Sequence, residues 1–535
     1  MSRTMDQGSR FLCWSTVEIR RLLWIFGLAF GLVLVLLRFL ELQDGNVLSS
    51  LSSTGNLAVV GNTADSIKIL NHTMEGRNKG NFRGTNGGVN EYNLAHNSSR
   101  SSASLSKGSP KNATNTVSIS QMNELLLQSH SNRNPKMPRM FSSSDEELLR
   151  AKSEIENAPL NYNSGLYAPL YRHASEFKMS YELMDKMLRV YIYKEGEKPI
   201  FHESILEGIY ASEGWFLKLL ESNKKFVTTD PAKAHLFYIP FSSRQLELTL
   251  YVPHSHSRDN LIEFMKNYVE MLIQKHPFWN RTNGEDHFLA ACHDWVNLSC
   301  NNSISYILIK ADQKRKPQAP AETRGRMLNC IRALCNADIR AGFVLGKDVS
   351  LPTVNVRSAK NPLNDIGGVP SLKRPILAFF AGYMHGNVRP TLLEHWGNDS
   401  DMRILGRIPH VKGDRNYTTY MKSSKYCICA RGYAVHSPRV VESIFFDCVP
   451  VIISDNYVPP FFEILEWESF AVFVLEREIP DLKKILMSIP DEKYVEMQKG
   501  VKEVQRHFLW HVEPVKYDMF HMILHSIWYN RIFQI

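Results

Sequence analysis

Apolar positions along the 535 residues fall into three regimes. Residues 22–40, LLWIFGLAFGLVLVLLRFL, are apolar except Arg38. At ~1.5 Å per residue such a helix reaches roughly 28 Å, enough to cross a hydrocarbon core. From Gln43 to about Ser144 the chain is Ser, Asn, Gly and Thr with few aromatics. That composition buries too little surface to offset chain entropy, so it reads as a flexible stem.

Beyond Leu183, alternation of period 2 and helical spacing take turns. LRVYIYK (188–194), AHLFYIPF (234–241) and DHFLAACHDW (286–295) read as strands. SEGWFLKLLESN (212–223), with a Ser cap, and NLIEFMKNYVEMLIQKH (260–276) read as helices between them. The pattern restarts with strands in RPILAFFAG (374–382), KYCICARGY (425–433) and CVPVIISD (448–455). PDLKKILMSI and DEKYVEMQKGVKEVQRHFLW follow Ile479 as closing helices. Strands alternating with helices predict α/β units with parallel sheets. The expected layout is a tail (1–21), an apolar span (22–40), a stem (41–150), two units (183–370 and 371–490) and closing helices (491–535). Two such units in series imply a cleft, with ligands beyond the carboxyl ends of the strands.

Charge fixes a topology. Arg3, Arg10, Arg20 and Arg21 precede the apolar span, while Arg38, Glu41 and Asp44 follow it. The bias puts the N-terminus in the cytosol and the remainder across the membrane. A cleaved signal peptide would need a shorter apolar core and a small-residue cleavage site, and no convincing one is present. Asn-x-Ser/Thr triplets at Asn71, Asn97, Asn112, Asn280, Asn297, Asn301, Asn398 and Asn416 are glycosylation candidates that agree with this topology. A net charge of +9 from 63 basic and 54 acidic residues, without a basic stripe interleaved with aromatics, gives no reason to expect nucleic-acid binding.

The densest chemistry lies in SPRVVESIFFDCVPVIISD (437–455). Ser437 suits an N-cap and Pro438 the first helical position, after a loop that contains Gly432. Free N–H groups at that turn favour an anion. Arg439 can grip two phosphate oxygens, and Glu442, on the same helical face, can accept from ribose hydroxyls. An exposed Arg–Glu pair at i,i+3 is the alternative. Arg389, after the strand–glycine turn at Gly382, is a second candidate for the same anion, and His385 a weaker one. Asp399-Ser400-Asp401 has the spacing of a metal-binding Asp-x-Asp, yet it overlaps the Asn398 triplet and no metal is expected there. Seven cysteines follow the apolar span, and their pairing is open. Cys427-x-Cys429 reads as core on one strand face rather than as metal ligands.

GYAVHSPRVVESIFFDCVPVIISDNYVPPF, ILAFFAGYMHGNVRP, DHFLAACHDW, LCNAD and YDMFHMILHSIW, in that family's order, closely resemble the plant exostosin-like glycosyltransferases of glycosyltransferase family 47. The likeness runs from about Leu188 to Trp528. It implies a GT-B type α/β fold, two Rossmann-like domains facing a cleft, behind a Golgi signal anchor. It implies an inverting transferase that takes a nucleotide sugar, foremost a UDP-sugar, as co-substrate and holds no cofactor tightly. Gly382, Arg389, Gly432, Ser437, Arg439 and Glu442 would then face the donor. His293 and Asp294 would be the candidates for the base that deprotonates the acceptor hydroxyl. Expected partners are the nucleotide sugar, a cell-wall glycan, the Golgi membrane, and copies of itself or other glycosyltransferases. A non-catalytic glycan-binding or scaffold partner is the second reading. Two departures matter: Ala434 stands where relatives carry an acidic residue, and Val296–Gln318 is an extra 23 residues where relatives pass almost directly from CHDW to APAETRGRM. The insertion has the form a retained intron would leave, with a genuine surface loop as the alternative.

Overall fold

In the computed structural model, residues 116–535 are described apart from 132–137, 139–140, 163–164, 256, 294–328, 363–364 and 409–415. The 1–21 tail, the 22–40 span, most of the 41–150 stem and the 296–318 insertion lie outside the described residues. Among those described, no helix is long and apolar enough to cross a membrane.

Two parallel sheets are built from the strands in the predicted alternation. β1 (Val190–Ile192), β2 (Val227–Thr228), β3 (Leu236–Tyr238), β4 (His287–Ala291), β5 (Ile331–Leu334) and β6 (Val349–Ser350) form the first, in the order β2-β1-β3-β4-β5-β6. β7 (Ile376–Ala381), β8 (Met402–Leu405), β9 (Ser424–Ala430), β10 (Val449–Ile453) and β11 (Val472–Phe473) form the second, in the order β11-β10-β9-β7-β8. In each sheet the chain first walks to one edge and then returns to the other side of its starting strand. Crevices open where that direction reverses, between β1 and β3 and between β7 and β9.

Sheets covered on both faces demand near-continuous apolar strands. All five residues of β10 are buried, as are all five of β4. β9 pairs in register with both neighbours, Cys427 facing Pro450 on one side and Phe379 on the other. The two lobes are sewn together by backbone and side chain. Val458 N donates to Ala337 O at 2.9 Å, and Ser350 Oγ donates to Val458 O at 2.7 Å.

Two boundaries differ from the sequence reading. Part of the expected stem is helical, in Ile119–Ser131 and Ser143–Glu156. The second is specified locally: Ser142 Oγ accepts from Asp145 N, while the Asp145 carboxylate accepts from Ser142 N. It buries Leu148, Ala151 and Ile155, and Asp145 pairs with Arg281 of the first lobe. A Ser-rich average hid this amphipathic stripe. The closing helices also divide: Asp491–Val504 packs on β10, whereas Met519–Ile532 returns to β5, β6 and the helices of the first lobe. Every residue of that last helix is buried, which is why it shows no amphipathic face. Ser212, read as a cap, instead donates its hydroxyl to Pro352 O at 2.6 Å.

Candidate functional site

The β7–β9 crevice is built from glycines and two arginines. β7 runs into Gly382 and the helix Val388–Trp396; β9 runs into Gly432 and the helix Arg439–Phe445. A Cβ on Gly382 would overlap the Arg439 guanidinium, and one on Gly432 would lie 3.0 Å from Arg389 Nη2. Gly386, at φ +68°, sits so close to Gly432 O that any side chain would collide with it.

Arg439 donates to Ala381 O from Nη2 at 2.6 Å and from Nε at 3.2 Å. Arg389, 7% exposed, donates from Nε to Ala430 O at 3.2 Å and from Nη1 to Tyr383 O at 3.0 Å. Both guanidiniums lie against the Phe380 ring, at 5.0 and 5.9 Å from its centroid. Carbonyl oxygens hold them in place, and neither makes an ion pair with a carboxylate among the described residues. Burial, and then the nearby charge of Arg439, bring Arg389 down to about 10. At neutral pH the crevice therefore still carries two adjacent positive charges. Two cations held together without a counter-charge make an anion-binding arrangement.

Helix Arg439–Phe445 starts one residue later than the Ser437–Pro438 pattern predicts, within the usual variation of helix ends. Pro438 takes the N-cap place that the sequence reading gave to Ser437, and no side chain caps the helix. Ser437 Oγ instead accepts locally from Arg439 N and from Arg439 Nη1, both at 3.4 Å. Arg439 and Glu442 do not form the i,i+3 pair. Glu442 instead accepts from the Tyr417 hydroxyl at 2.8 Å. Burial, followed by the Glu442 charge, pushes the Tyr417 phenol well above its ordinary value. Tyr417 was not legible as a site residue because nothing near it in sequence shares its role. Glu442 also lines a cleft of ≈ 370 Å³ with Pro438, Val441, Phe445 and Phe446, closed from the first lobe by Val354, Asn355 and Arg357. Close by, Thr353 Oγ1 and His436 Nδ1 meet across the lobes at 2.9 Å.

At the carboxyl end of β4, Asp294 lies outside the described residues, and so does the 296–318 insertion. His293 stands with its ring 4.3 Å from that of Tyr210 and its Nε2 3.2 Å from Arg244 Nη1 and 3.6 Å from Glu247 Oε2. Its backbone N donates to Ser243 Oγ at 3.0 Å. The organiser beneath it is Glu213, a residue the sequence reading did not single out. The Glu213 carboxylate accepts from Ser242 Oγ at 2.7 Å, Cys292 N at 2.7 Å, Arg244 N at 3.1 Å and the Ser243 hydroxyl. Burial pushes its pKa up against the pull of those donors. The sole sequence signal was an acid inside the apolar helix ASEGWFLKLLE.

Elsewhere the motifs resolve simply. Asp399 and Asp401 both pair with Lys483, at 2.8 and 2.6 Å from its Nζ. Among the described residues no group of three or more His, Cys, Asp or Glu could hold a metal ion. Among the described cysteines, Cys292 bridges Cys335 and Cys427 bridges Cys448, which leaves Cys330 and Cys429 buried and unbridged. Asn280 and Asn398 are exposed; Asn71, Asn97, Asn112, Asn297 and Asn301 lie outside the described residues, and Asn416 opens a helix. His385 stands between two exposed tyrosines, Tyr383 and Tyr433.

The profile of the exostosin GT47 domain matches residues 184–489. An Arabidopsis thaliana protein named a probable glycosyltransferase is 40% identical over 402 residues, 72% of this chain and 80% of its own. More distant relatives include a protein of Oryza sativa subsp. japonica named a probable glucuronosyltransferase, 26% identical over 64% of this chain and 80% of its own. Another from Arabidopsis thaliana, named a probable beta-1,4-xylosyltransferase, is 27% identical over 64% of this chain and 81% of its own.

Proposed function

The chain belongs to the exostosin GT47 family of glycosyltransferases, and from that premise we propose that it moves a sugar from a UDP-sugar to a cell-wall glycan inside the Golgi lumen. The observation that carries this reading is the pair of guanidiniums, Arg389 and Arg439, held at the β7–β9 crevice with no carboxylate partner among the described residues. They suit the diphosphate of the donor, with the Ser437 hydroxyl beside Arg439. Glu442 suits the ribose, and the cleft of ≈ 370 Å³ beyond it suits the base. The two parallel-sheet lobes, with the last helix crossing back to the first, fit a GT-B arrangement.

The reaction then needs an acceptor hydroxyl to lose its proton as its oxygen attacks the anomeric carbon. The bond from that carbon to the diphosphate breaks on the opposite face, inverting the centre and releasing the nucleoside diphosphate. Fixed positive charge where the leaving group gains negative charge stabilises the transition state more than the ground state. His293, at the first-lobe edge, and Asp294, which lies outside the described residues, remain the candidates for the base. The relatives named for glucuronosyl and xylosyl transfer support a uronic acid or a pentose as the sugar moved. Residues 22–40 would anchor the enzyme as a type II membrane protein, with the head in the lumen.

The test is turnover by the full chain with a panel of UDP- and GDP-sugars and wall oligosaccharides, with Arg439→Ala alongside. Transfer from one donor that the substitution removes supports the reading. Transfer that survives Arg439→Ala unchanged would move the donor elsewhere.

A further inference from the structure

On the reading that a nucleotide sugar occupies the β7–β9 crevice, we propose that Asn355 of the first lobe reads the edge of the donor's uracil, so that base selection needs both lobes. The cleft of ≈ 370 Å³ begins at the anion turn: Pro438, next in the chain to Arg439, lines it together with Val441, Glu442, Phe445 and Phe446. Val354 and Asn355 join it from the first lobe, and Thr418 from the helix Asn416–Ser423. With the diphosphate on Arg439 and the ribose on Glu442, one helical turn apart, the base enters this cleft.

Its lining suits a flat heterocycle. Val354, Val441, Phe445 and Phe446 are buried apolar side chains, against which the hydroxyls of a sugar would be stranded. The faces of a base lose nothing there, but its polar edge needs a partner. Asn355 is half-buried, and its amide has no hydrogen-bond partner among the described residues. An amide carries an acceptor and a donor side by side. Oδ1 can accept from uracil N3–H while Nδ2 donates to O4.

The backbone that carries Asn355 is fixed from both lobes. Val356 exchanges two backbone hydrogen bonds with Gly208, at 2.8 and 3.3 Å, and Ser212 Oγ donates to Pro352 O at 2.6 Å. In such an antiparallel pair the neighbouring residue turns its own backbone groups the other way, so Gly208 leaves Asn355 unengaged. Thr353 Oγ1 meets His436 Nδ1 of the second lobe at 2.9 Å, two residues before Asn355. A residue held in place before its ligand arrives loses little freedom on binding it.

Titration calorimetry on the full chain tests this with UDP, N3-methylated UDP and inorganic diphosphate. The methyl group replaces the proton that Asn355 would accept. Wild type should bind UDP about tenfold tighter than the methylated form, the worth of the hydrogen bond lost. Asn355→Ala should weaken UDP about tenfold and bring the two ligands to nearly equal affinity, because the partner that the methyl offends is gone. Asn355→Leu, which keeps the side-chain volume, should do the same, so that a packing loss in one variant leaves the other to decide. Inorganic diphosphate has no base and should bind wild type and variants alike, which shows the arginine turn to be intact. If the methyl group costs the variants what it costs wild type, N3 faces another group and the proposal is overturned. Wild type that binds UDP and its methylated form equally overturns it too. Failure of the transferase reading appears separately, as a wild-type chain that binds neither UDP nor diphosphate.

Discussion

At the carboxyl end of the first sheet charge is consumed; at that of the second it is left over. Glu213 is buried, yet four donors surround its carboxylate, and through them it fastens the end of β4 to the helix Ser243–Leu250. Arg389 and Arg439 are held just as firmly, but by neutral carbonyls, so their positive charges repel each other. A satisfied buried ion shapes an edge, whereas an unsatisfied pair is a standing cost that a ligand of opposite sign removes. Folds keep such conflicts mainly where they serve function. On the proposed reading, the first lobe serves as a frame and the second as a grip.

Breaking the grip should show the largest effect, and in activity alone. Arg439→Ala should lower kcat/KM about 10²- to 10³-fold, roughly 3–4 kcal/mol of transition-state stabilisation. Its melting temperature should hold or rise, because repulsion with Arg389 is relieved. Arg439→Lys should recover only part of the activity, since an ammonium lacks the planar fork. A variant that loses stability together with activity would mean that Arg439 is frame as well.

The frame should answer in the opposite sense. Glu213→Ala strands two hydroxyls and two backbone N–H groups in the interior and should reduce unfolding free energy by about 3 kcal/mol in urea titration. Glu213→Gln, which keeps an acceptor oxygen, should lose less. A loss from the Ala variant no larger than a surface substitution would erase the contrast between the two edges.

The closing segment also contains two buried histidines that set the pH limits of the fold. Burial, then the charge of Arg506, holds His507 at about 3; burial, then His507, holds His525 at about 3. Their neutral forms are the ones the fold accepts, with His507 Nε2 2.7 Å from the Tyr171 hydroxyl and His525 Nε2 2.9 Å from Ser180 Oγ. Unfolded histidines titrate near 6.5, so the unfolded chain takes up protons below that pH while the folded chain does not. Stability should be full above about pH 6.5 and fall as pH drops towards the folded values. Between pH 7.5 and 5.5 the two together should remove about 2–3 kcal/mol. A His525→Phe variant should show a shallower decline over the same range.

How much of this could be read beforehand follows from the range of each interaction. The strand, glycine turn, Ser437 and Arg439 are contiguous, so the turn on which the proposed grip rests was visible in one stretch of sequence. Gly382 and Arg389 were visible as the parallel turn after β7. Glu213 was not, because an acid in a helix reads as solvated until Ser242, Ser243 and Cys292 close around it from two other segments. Cysteine pairing was likewise open, for Cys427 and Cys448 meet only once β9 and β10 align. The helix Ser143–Glu156 was within reach: its capping pair, Ser142 and Asp145, is a local signal that the Ser-rich composition outweighed.

The smallest expected effect concerns the acidic pair that sequence spacing made suspicious. Asp399 and Asp401 lie in a surface segment with their charges met by Lys483. If the donor's charge is answered by arginines, this triad is an ordinary surface cluster. Lys483→Ala should then leave donor KM and kcat as they are, and change stability too little to resolve from wild type. Asp399→Asn should do the same, apart from loosening the turn it makes by accepting from Asp401 N and Met402 N. The informative result is the response to added divalent metal once Lys483 is gone. Unaltered turnover keeps the second lobe's charge balance in the β7–β9 crevice, whereas a new metal dependence would mean that the Asp-x-Asp pair reaches the donor, and that the grip has a second half.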